Sequence, residues 1–419
     1  MKPTIKFCMV TTFYPPYNFG GDGIFVYRLS NELARLGHSV DVVHCQDAYY
    51  ALNRTPSELA YPNHQNIKVY GLKSSLGRLS PLATYLSGRP WLKRGPLRRI
   101  LNSGGYDVIH YHNISLIGGP QILYYGTPSA IKLYTTHEYW LVCPTHVLFK
   151  NKRAPCLEPE CLSCELRHKR PPQLWRYTDL MAGALKQVDA FIAPSQSVIE
   201  QHRQRGLDLP FVHIPHFLPK EQEITETIRT QLRPYFLYAG RLEKIKGVHE
   251  LIRVSAQYPA ADLIIVGRGD YEDTLRRCAA DAPNIKFLGE RSYFELKSLY
   301  AGALAVIMPS LCYEVFGMVL LEAFAAQTPV IVNDIGALTE IIAQSGGGLV
   351  YHDESTLRAA MHTLRVNSSL RLELGEKGYR AYTQFWTEDQ HLKAYLGLIG
   401  DLSRRKQTSE TAAEAIHGR

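Results

Sequence analysis

Residues 305–333 read AVIMPSLCYEVFGMVLLEAFAAQTPVIVN. Ala305–Met308 is a short apolar run closed by Pro309 and Ser310, the pattern of a buried strand, and Val330–Asn333 repeats it. Between them an apolar helical pattern starts near Gly317. The same alternation extends outward in both directions. Upstream in this half, Tyr235–Ala239, Leu263–Val266 and Ile285–Leu288 read as strands. In the first half the strands are Ile5–Thr11, Val40–His44, Asp107–Tyr111, Ala130–Thr135 and Ala190–Ala193. Helical spacing at Phe25, Leu29, Leu33 and Leu36 follows the turn Gly20-Gly21-Asp22-Gly23, and Gly37 ends it. Ser197-Val198-Ile199-Glu200 has the form of a capping box. Strand–helix alternation of this kind gives parallel sheets with helices on both faces. The expected fold class is therefore α/β, with two facing Rossmann-like domains and a cleft at the carboxyl ends of their strands.

A chain of 419 residues suits two domains of about 200 residues each. The expected boundaries are 1–215, a proline- and charge-rich linker over 216–233, and 234–386. A long helical pattern over 387–403 and a polar, mobile tail over 404–419 complete the chain. Hydrophobic residues at 45% and charged residues at 21% exclude a disordered or fibrous chain. No run approaches the ~20 apolar residues that span a bilayer. The start of the chain shows no signal-peptide pattern, so the cytoplasm is the expected compartment. The net charge of +8 fits anionic ligands such as phosphates. Arg89-Pro90-Trp91-Leu92-Lys93-Arg94, with Arg98 and Arg99, reads first as a solvated helix face. A lipid-linked acceptor would make peripheral contact with the inner face of a membrane the better reading. The aromatic-basic patterns of nucleic-acid binding are absent from the sequence.

From Val315 to Asn333 the only charged residue is Glu322. A carboxylate in so apolar a stretch needs partners, and a ribose diol offers two donors to an acceptor-only group. A salt bridge to a neighbouring element is the alternative. The helix start at Gly317, with Met318 and Val319 behind it, leaves backbone N–H groups free to meet a phosphate. Gly240-Arg241-Leu242-Glu243-Lys244-Ile245-Lys246-Gly247 follows another strand. Arg241 and Lys246 there can grip a diphosphate, one as a fork and the other as a point charge. Gly267, in Val266-Gly267-Arg268-Gly269, marks a third turn at a carboxyl end. Fixed cations at a departing diphosphate favour the transition state and leave that role without need of a metal. No Asp-x-Asp pair is evident in the sequence.

On these marks the chain resembles the retaining family 4 glycosyltransferases of GT-B architecture. The marks are Glu314 and Glu322 around Phe316-Gly317, the Gly-Arg…Lys-Gly loop, the Gly-x-Gly turn and the early Gly20-Gly21 loop, and they run through almost the whole chain in order. The resemblance implies a nucleoside-diphosphate sugar donor, with UDP or GDP among the candidates, and a hydroxyl acceptor. It implies that Arg241 and Lys246 bind the diphosphate, that Glu322 holds the ribose, and that Glu314 holds hydroxyls of the transferred sugar. The amides of Phe316, Gly317 and Met318 would meet sugar and phosphate. Arg291, with Glu290, would lie near the base, and the last helix would cross back onto the first domain. His137, after a Thr-rich strand end, would approach the donor sugar. The next residue is commonly Asp in that family and is Glu138 here. His112 is a second candidate. Gly20 and Gly21 would let backbone approach acceptor or phosphate.

Cys143, Cys156, Cys161 and Cys164 fall within 22 residues, and thiolates so spaced can close a tetrahedral zinc site. The stretch 143–170 holds little core-forming sequence, so a structural zinc is expected there, bordering the acceptor side. Free thiols or disulfides are the alternatives. The expected function is retaining transfer of a hexose-type sugar to a glycan precursor, lipid-linked saccharide or small molecule. A nucleotide-sugar epimerase, a phosphorylase and a non-catalytic zinc-stapled module that binds membranes or anionic ligands are the competing readings.

Overall fold

The computed structural model describes residues 4–18, 20–52, 60–220 and 233–417. Most of the expected linker, residues 221–232, lies outside the described residues. The first sheet contains β1 (Lys6–Val10), β2 (Ser39–Cys45), β3 (Ile67–Leu72), β4 (Val108–Tyr111) and β5 (Ile131–Thr135). A two-residue hairpin, β6 (Phe149–Lys150) with β7 (Ala154–Pro155), then interrupts it. The sheet resumes with β8 (Ala190–Ala193) and β9 (Phe211–His213). Its order is β3-β2-β1-β4-β5-β8-β9, all parallel. The second sheet contains β10 (Tyr235–Ala239), β11 (Asp262–Val266), β12 (Ile285–Gly289), β13 (Ala305–Met308), β14 (Val330–Asn333) and β15 (Gly348–Tyr351). Its order is β12-β11-β10-β13-β14-β15, again parallel. The protein is thus α/β with two Rossmann-like domains.

The central strands are fully buried, which is why they read as continuous apolar runs. In the two large sheets three strands are not evident in the sequence: β3, β9 and β15. Each lies at an edge and is only partly buried, and β3 carries Lys68 and Gly71 within its run. The helix after β8 is capped by Ser195, whose hydroxyl accepts from Val198 N at 3.3 Å. The cap therefore falls two residues before the expected Ser197 box. Glu200 is turned instead toward Gln204 on the same helix.

The chain crosses between the domains twice, and the two crossings touch. Lys220 N donates to Glu388 at 2.8 Å, and Leu218 N donates to the Trp386 carbonyl at 3.0 Å. Trp386 stacks on Phe324 of the second domain at 6.0 Å. Beyond it the helix Glu388–His417 buries Leu392, Tyr395, Ile399 and Leu402 in the first domain's core with Phe7, Met9 and Val26. The expected separate tail from 404 is instead a continuation of this helix. Residues 404–417 contain no Gly or Pro and hold three Ala, two Glu, two Arg and one Lys, which favour helix. Lys406 also fastens the helix through Asp189 at 2.9 Å and the Ala130 carbonyl at 2.7 Å.

Candidate active site

The carboxyl end of β10 feeds the loop Gly240–Gly247, and that of β13 feeds the loop ending at Gly317. Lys246 Nζ donates to Glu314 Oε1 at 2.6 Å, and Ser310 Oγ donates to the same oxygen at 2.6 Å. Both charged side chains are about 15% exposed. Burial alone would neutralise them. Burial is the largest influence on the Lys246 ammonium and pulls its pKa down, yet the Glu314 charge, the Cys312 thiol and the hydrogen bond to Glu314 together hold it above the ordinary value. Burial likewise pushes Glu314 up, but the charge of Lys246, the hydrogen bonds from Lys246 and Ser310, and Arg241 bring it below the usual carboxylate range. The pair is therefore fixed and charged at the carboxyl ends of β10 and β13. Arg241 is half exposed, pairs with Glu243 at 2.7 Å, and acts electrostatically on both members of the pair.

Glycine is required twice in this arrangement. Gly247 has φ +69, and a Cβ there would lie 1.9 Å from the Pro309 carbonyl, so the two loops could not meet. Gly267 has φ +131, and its Cβ would lie 1.9 Å from the Gly240 carbonyl. The Gly-x-Gly turn thus carries the Gly240–Leu242 backbone on its back, with Leu242 N donating to Arg268 O at 2.9 Å. That packing accounts for Gly267 without a ligand contact.

The helix Met318–Ala325 starts at Gly317 with no side chain capping it, and its first positions are Met318 and Val319. The helix start follows the loop that carries Glu314, the partner of Lys246. Glu322 accepts from the Tyr300 hydroxyl at 2.8 Å, so a neighbouring helix orients the carboxylate. Arg291 follows β12, two strands from β10, and its nearest ion partner is Glu295 at 3.7 Å. It stands outside the Lys246–Glu314 cluster.

The first domain presents a histidine chain. His137 Nε2 lies 2.9 Å from His112 Nδ1, and His137 Nδ1 lies 3.2 Å from His216 Nε2. His216 packs on Phe25 at 4.0 Å and on Phe316 of the donor-side loop at 5.4 Å, and so joins the two domains. His110 completes the group against Thr135 and Tyr395 of the crossover helix. Burial lowers the pKa of His137 to about 3 and of His391 to about 4, and takes His110, His112 and His216 well down. His137 is therefore a neutral ring with both nitrogens occupied, suited to holding shape and not to taking a proton. His216 was missed in the sequence because it lies on no motif; its neighbour Phe217 in an apolar run was the only signal.

Gly20 (φ +115) and Gly21 open the helix Gly21–Arg35, and a Cβ on Gly21 would meet nothing within 4 Å. Asp22 beside them accepts from Asn113 Nδ2 at 3.2 Å, and burial followed by the nearby Glu138 carboxylate raises its pKa. Glu138 pairs with His146 at 2.8 Å. The cleft is drawn together by contacts absent from any motif. Ser195 Oγ donates to the Val315 carbonyl at 2.9 Å, and Glu340 accepts from the Gln196 and Ser197 amides, both at 2.9 Å.

The cysteine-rich stretch is where a structural zinc is expected. Among the described residues no group of three or more His, Cys, Asp or Glu is arranged to hold a metal ion. Three of the four thiols take a local partner. Cys143 Sγ sits 3.3 Å from Thr145 Oγ1, Cys164 Sγ accepts from Asn151 N at 3.3 Å, and Cys156 Sγ faces the Glu158 carbonyl. Burial first, and then the Cys143 and Cys156 charges, push the Cys161 thiol up to about 11, so it is protonated at neutral pH. Other contacts order the segment. Tyr139, Cys143 and Leu148 pack with Val198 and Tyr313, Glu165 accepts from Gln173 N at 3.0 Å, and Arg176 stacks on Trp140 and Trp175. Cys161→Ser is expected to shift the Tm by no more than about 2 °C, since exchange of a half-exposed thiol costs little. A large drop together with loss of bound zinc by elemental analysis would reinstate the staple.

Two parallel-sheet domains with a buried Lys–Glu pair and an uncapped helix start after their strands are the features expected of a GT-B glycosyltransferase. Comparison with known proteins agrees. The model for "Glycosyltransferase Family 4" matches residues 19–222, and that for "Glycosyl transferases group 1" matches residues 220–381. The chain belongs to the family 4 glycosyltransferases. It is 27% identical over 399 residues to a glycogen synthase of Mycobacterium tuberculosis, covering 86% of each chain. It is 25% identical over 411 residues to an O-antigen chain mannosyltransferase of Escherichia coli, covering 94% of this chain and 98% of that one. In fold it is similar to a sucrose-phosphate synthase of Thermosynechococcus elongatus, with a TM-score of 0.71 at 19% identity over 97% of this chain and all of that one. It is also similar to the Anabaena protein HepE in complex with UDP, with a TM-score of 0.61 at 16% identity over 98% and 100%.

Proposed function

We propose that this protein transfers a hexose from a nucleoside-diphosphate sugar to a hydroxyl acceptor with retention of anomeric configuration. The observation that carries this reading is the fixed Lys246–Glu314 pair on loops that share the strand carboxyl ends with the uncapped Gly317 helix start. In this reading Lys246, Arg241 and the amides of Gly317, Met318 and Val319 receive the diphosphate. Negative charge that grows on the leaving group meets cations already in place. Glu314 accepts hydroxyls of the transferred sugar, alongside the Phe316 backbone. Glu322, oriented by Tyr300, accepts from the ribose. Gly20 and Gly21 bring backbone N–H groups to the opposite side, and His137 shapes the wall beside the sugar. Asp22 and Glu138 face the acceptor and favour a hydroxyl-rich one. Leaving-group charge is met by side-chain cations, so no metal is assigned to catalysis. UDP- and GDP-sugars are the donors to test first, and the separate acceptor side distinguishes transfer from epimerisation.

Glu322→Ala is expected to weaken donor nucleotide binding about 10–100-fold, the value of one or two hydrogen bonds to a charged group. Turnover at saturating donor should change far less. Calorimetric titration with UDP and GDP, compared with wild type, measures it; unchanged affinity would remove the ribose assignment.

A further inference from the structure

We propose that the first domain docks on an anionic lipid bilayer through the helix Leu79–Ser87 and the basic segment after it. The observation is an inverted helix. Its buried residues are Ser80, Pro81, Thr84 and Tyr85, whereas Leu79, Leu82 and Leu86 are exposed at 58%, 44% and 44%. Positions 79, 82 and 86 share one helical face, so the apolar stripe points to solvent. A helix that only needed to pack on its own domain would be turned the other way. Lys93 fixes this orientation from inside. Its buried ammonium donates to Ser80 Oγ and pairs with Asp47 at 3.2 Å, and Asp47 also accepts from Ser74 N at 2.9 Å. Asp47 follows the carboxyl end of β2, so the helix is held at the end of the sheet where the cleft opens.

The apolar surface continues beyond this helix. Leu76 and Trp91 flank it, exposed at 51% and 58%. The short helical turn Leu174–Tyr177 packs against it and presents Leu174 and Tyr177 outward. A patch of this extent on a lone domain marks an interaction site.

Charge selects the occupant. Residues 59–106 contain eight Lys and Arg and no Asp or Glu. Apart from the internal Lys93, the cations that flank the stripe are exposed: Lys73, Arg78, Arg89, Arg94, Arg98 and Arg99. Exposed leucines and a tryptophan ringed by cations of one sign match the boundary between acyl chains and anionic headgroups. A second copy of the same face would bring like charges together, which disfavours a symmetric dimer through it. No helix among the described residues is long and apolar enough to cross a membrane, so docking would be from one side. It would hold the cleft beside an acceptor whose anchor is in the lipid.

Co-sedimentation of the full chain with vesicles tests this. Wild type should bind vesicles of phosphatidylcholine mixed with phosphatidylglycerol, release in high salt, and ignore phosphatidylcholine alone. Replacing Leu79, Leu82 and Leu86 together by Ser, or Arg89, Arg98 and Arg99 together by Glu, should each reduce partitioning at least about tenfold. These residues are exposed, so both variants should keep the wild-type Tm and nucleotide affinity. That second readout separates failure of docking from failure of the donor assignment. Wild type that ignores anionic vesicles, variants that bind as wild type, or a concentration-dependent dimer abolished by the leucine changes would each overturn the proposal.

Discussion

Lys246→Ala should lower the turnover number about 10²–10³-fold while donor affinity falls much less, the loss seen when one fixed group at a developing charge is removed. Lys246 is held by Glu314 at 2.6 Å in a site shielded from solvent, so its charge is in place before the leaving group departs. Removal also leaves the Glu314 carboxylate with the Ser310 hydroxyl and the charge of Arg241 but without its paired cation, and breaking such a buried pair is destabilising by about 3–5 kcal/mol. The two effects separate in the double variant Lys246→Ala with Glu314→Gln. Stability should largely recover in the double variant, whereas turnover should not. Initial-rate measurement of nucleotide release, paired with thermal unfolding, gives both numbers. A single variant that keeps wild-type turnover would remove Lys246 from the reaction.

Acid should unfold the protein well before most carboxylates titrate. His137 and His391 have pKa values near 3 and 4, against 6.5 for an ordinary histidine, because burial penalises the charged ring. Their unfolded forms bind protons that the folded forms do not. Stability is therefore complete above about pH 6.5 and falls as the pH drops toward the folded-state values. At pH 5 each of these two groups costs about 2 kcal/mol relative to neutral pH. His110, His112 and His216 act in the same direction. The Tm should drop by on the order of 10 °C or more between pH 7 and pH 5. His216 touches Phe316 across the cleft, so donor binding should fade over the same range. Calorimetry in matched ionic strength checks it, and a flat Tm from pH 7 to pH 5 would contradict it.

Much of this site is legible in the sequence for a physical reason. Parallel strands buried on both faces leave apolar runs, and a ligand loop must follow each run, so residues 240–247 and 314–322 announce themselves. Isolation of Glu322 in an apolar stretch is equally visible. The partners of these groups are not. Tyr300 on Glu322, Glu340 on the helix after β8, and His216 between the domains all depend on how separate elements come to rest together. Gly267 illustrates the converse: a turn that reads as a ligand loop is explained by a neighbouring backbone. Cysteine spacing likewise does not say which local partner each sulfur meets. The inverted helix at Leu79–Ser87 was hidden for the opposite reason. Its apolar spacing is that of any amphipathic helix, and only the structure shows which face is inside.

A crystal structure of the protein with a bound nucleoside diphosphate tests the central claim most directly. The account predicts both phosphates between Lys246, Arg241 and the amides at Met318 and Val319, with the ribose hydroxyls on Glu322. A nucleotide seated elsewhere, with Lys246 still closed on Glu314 and the helix end empty, would contradict it.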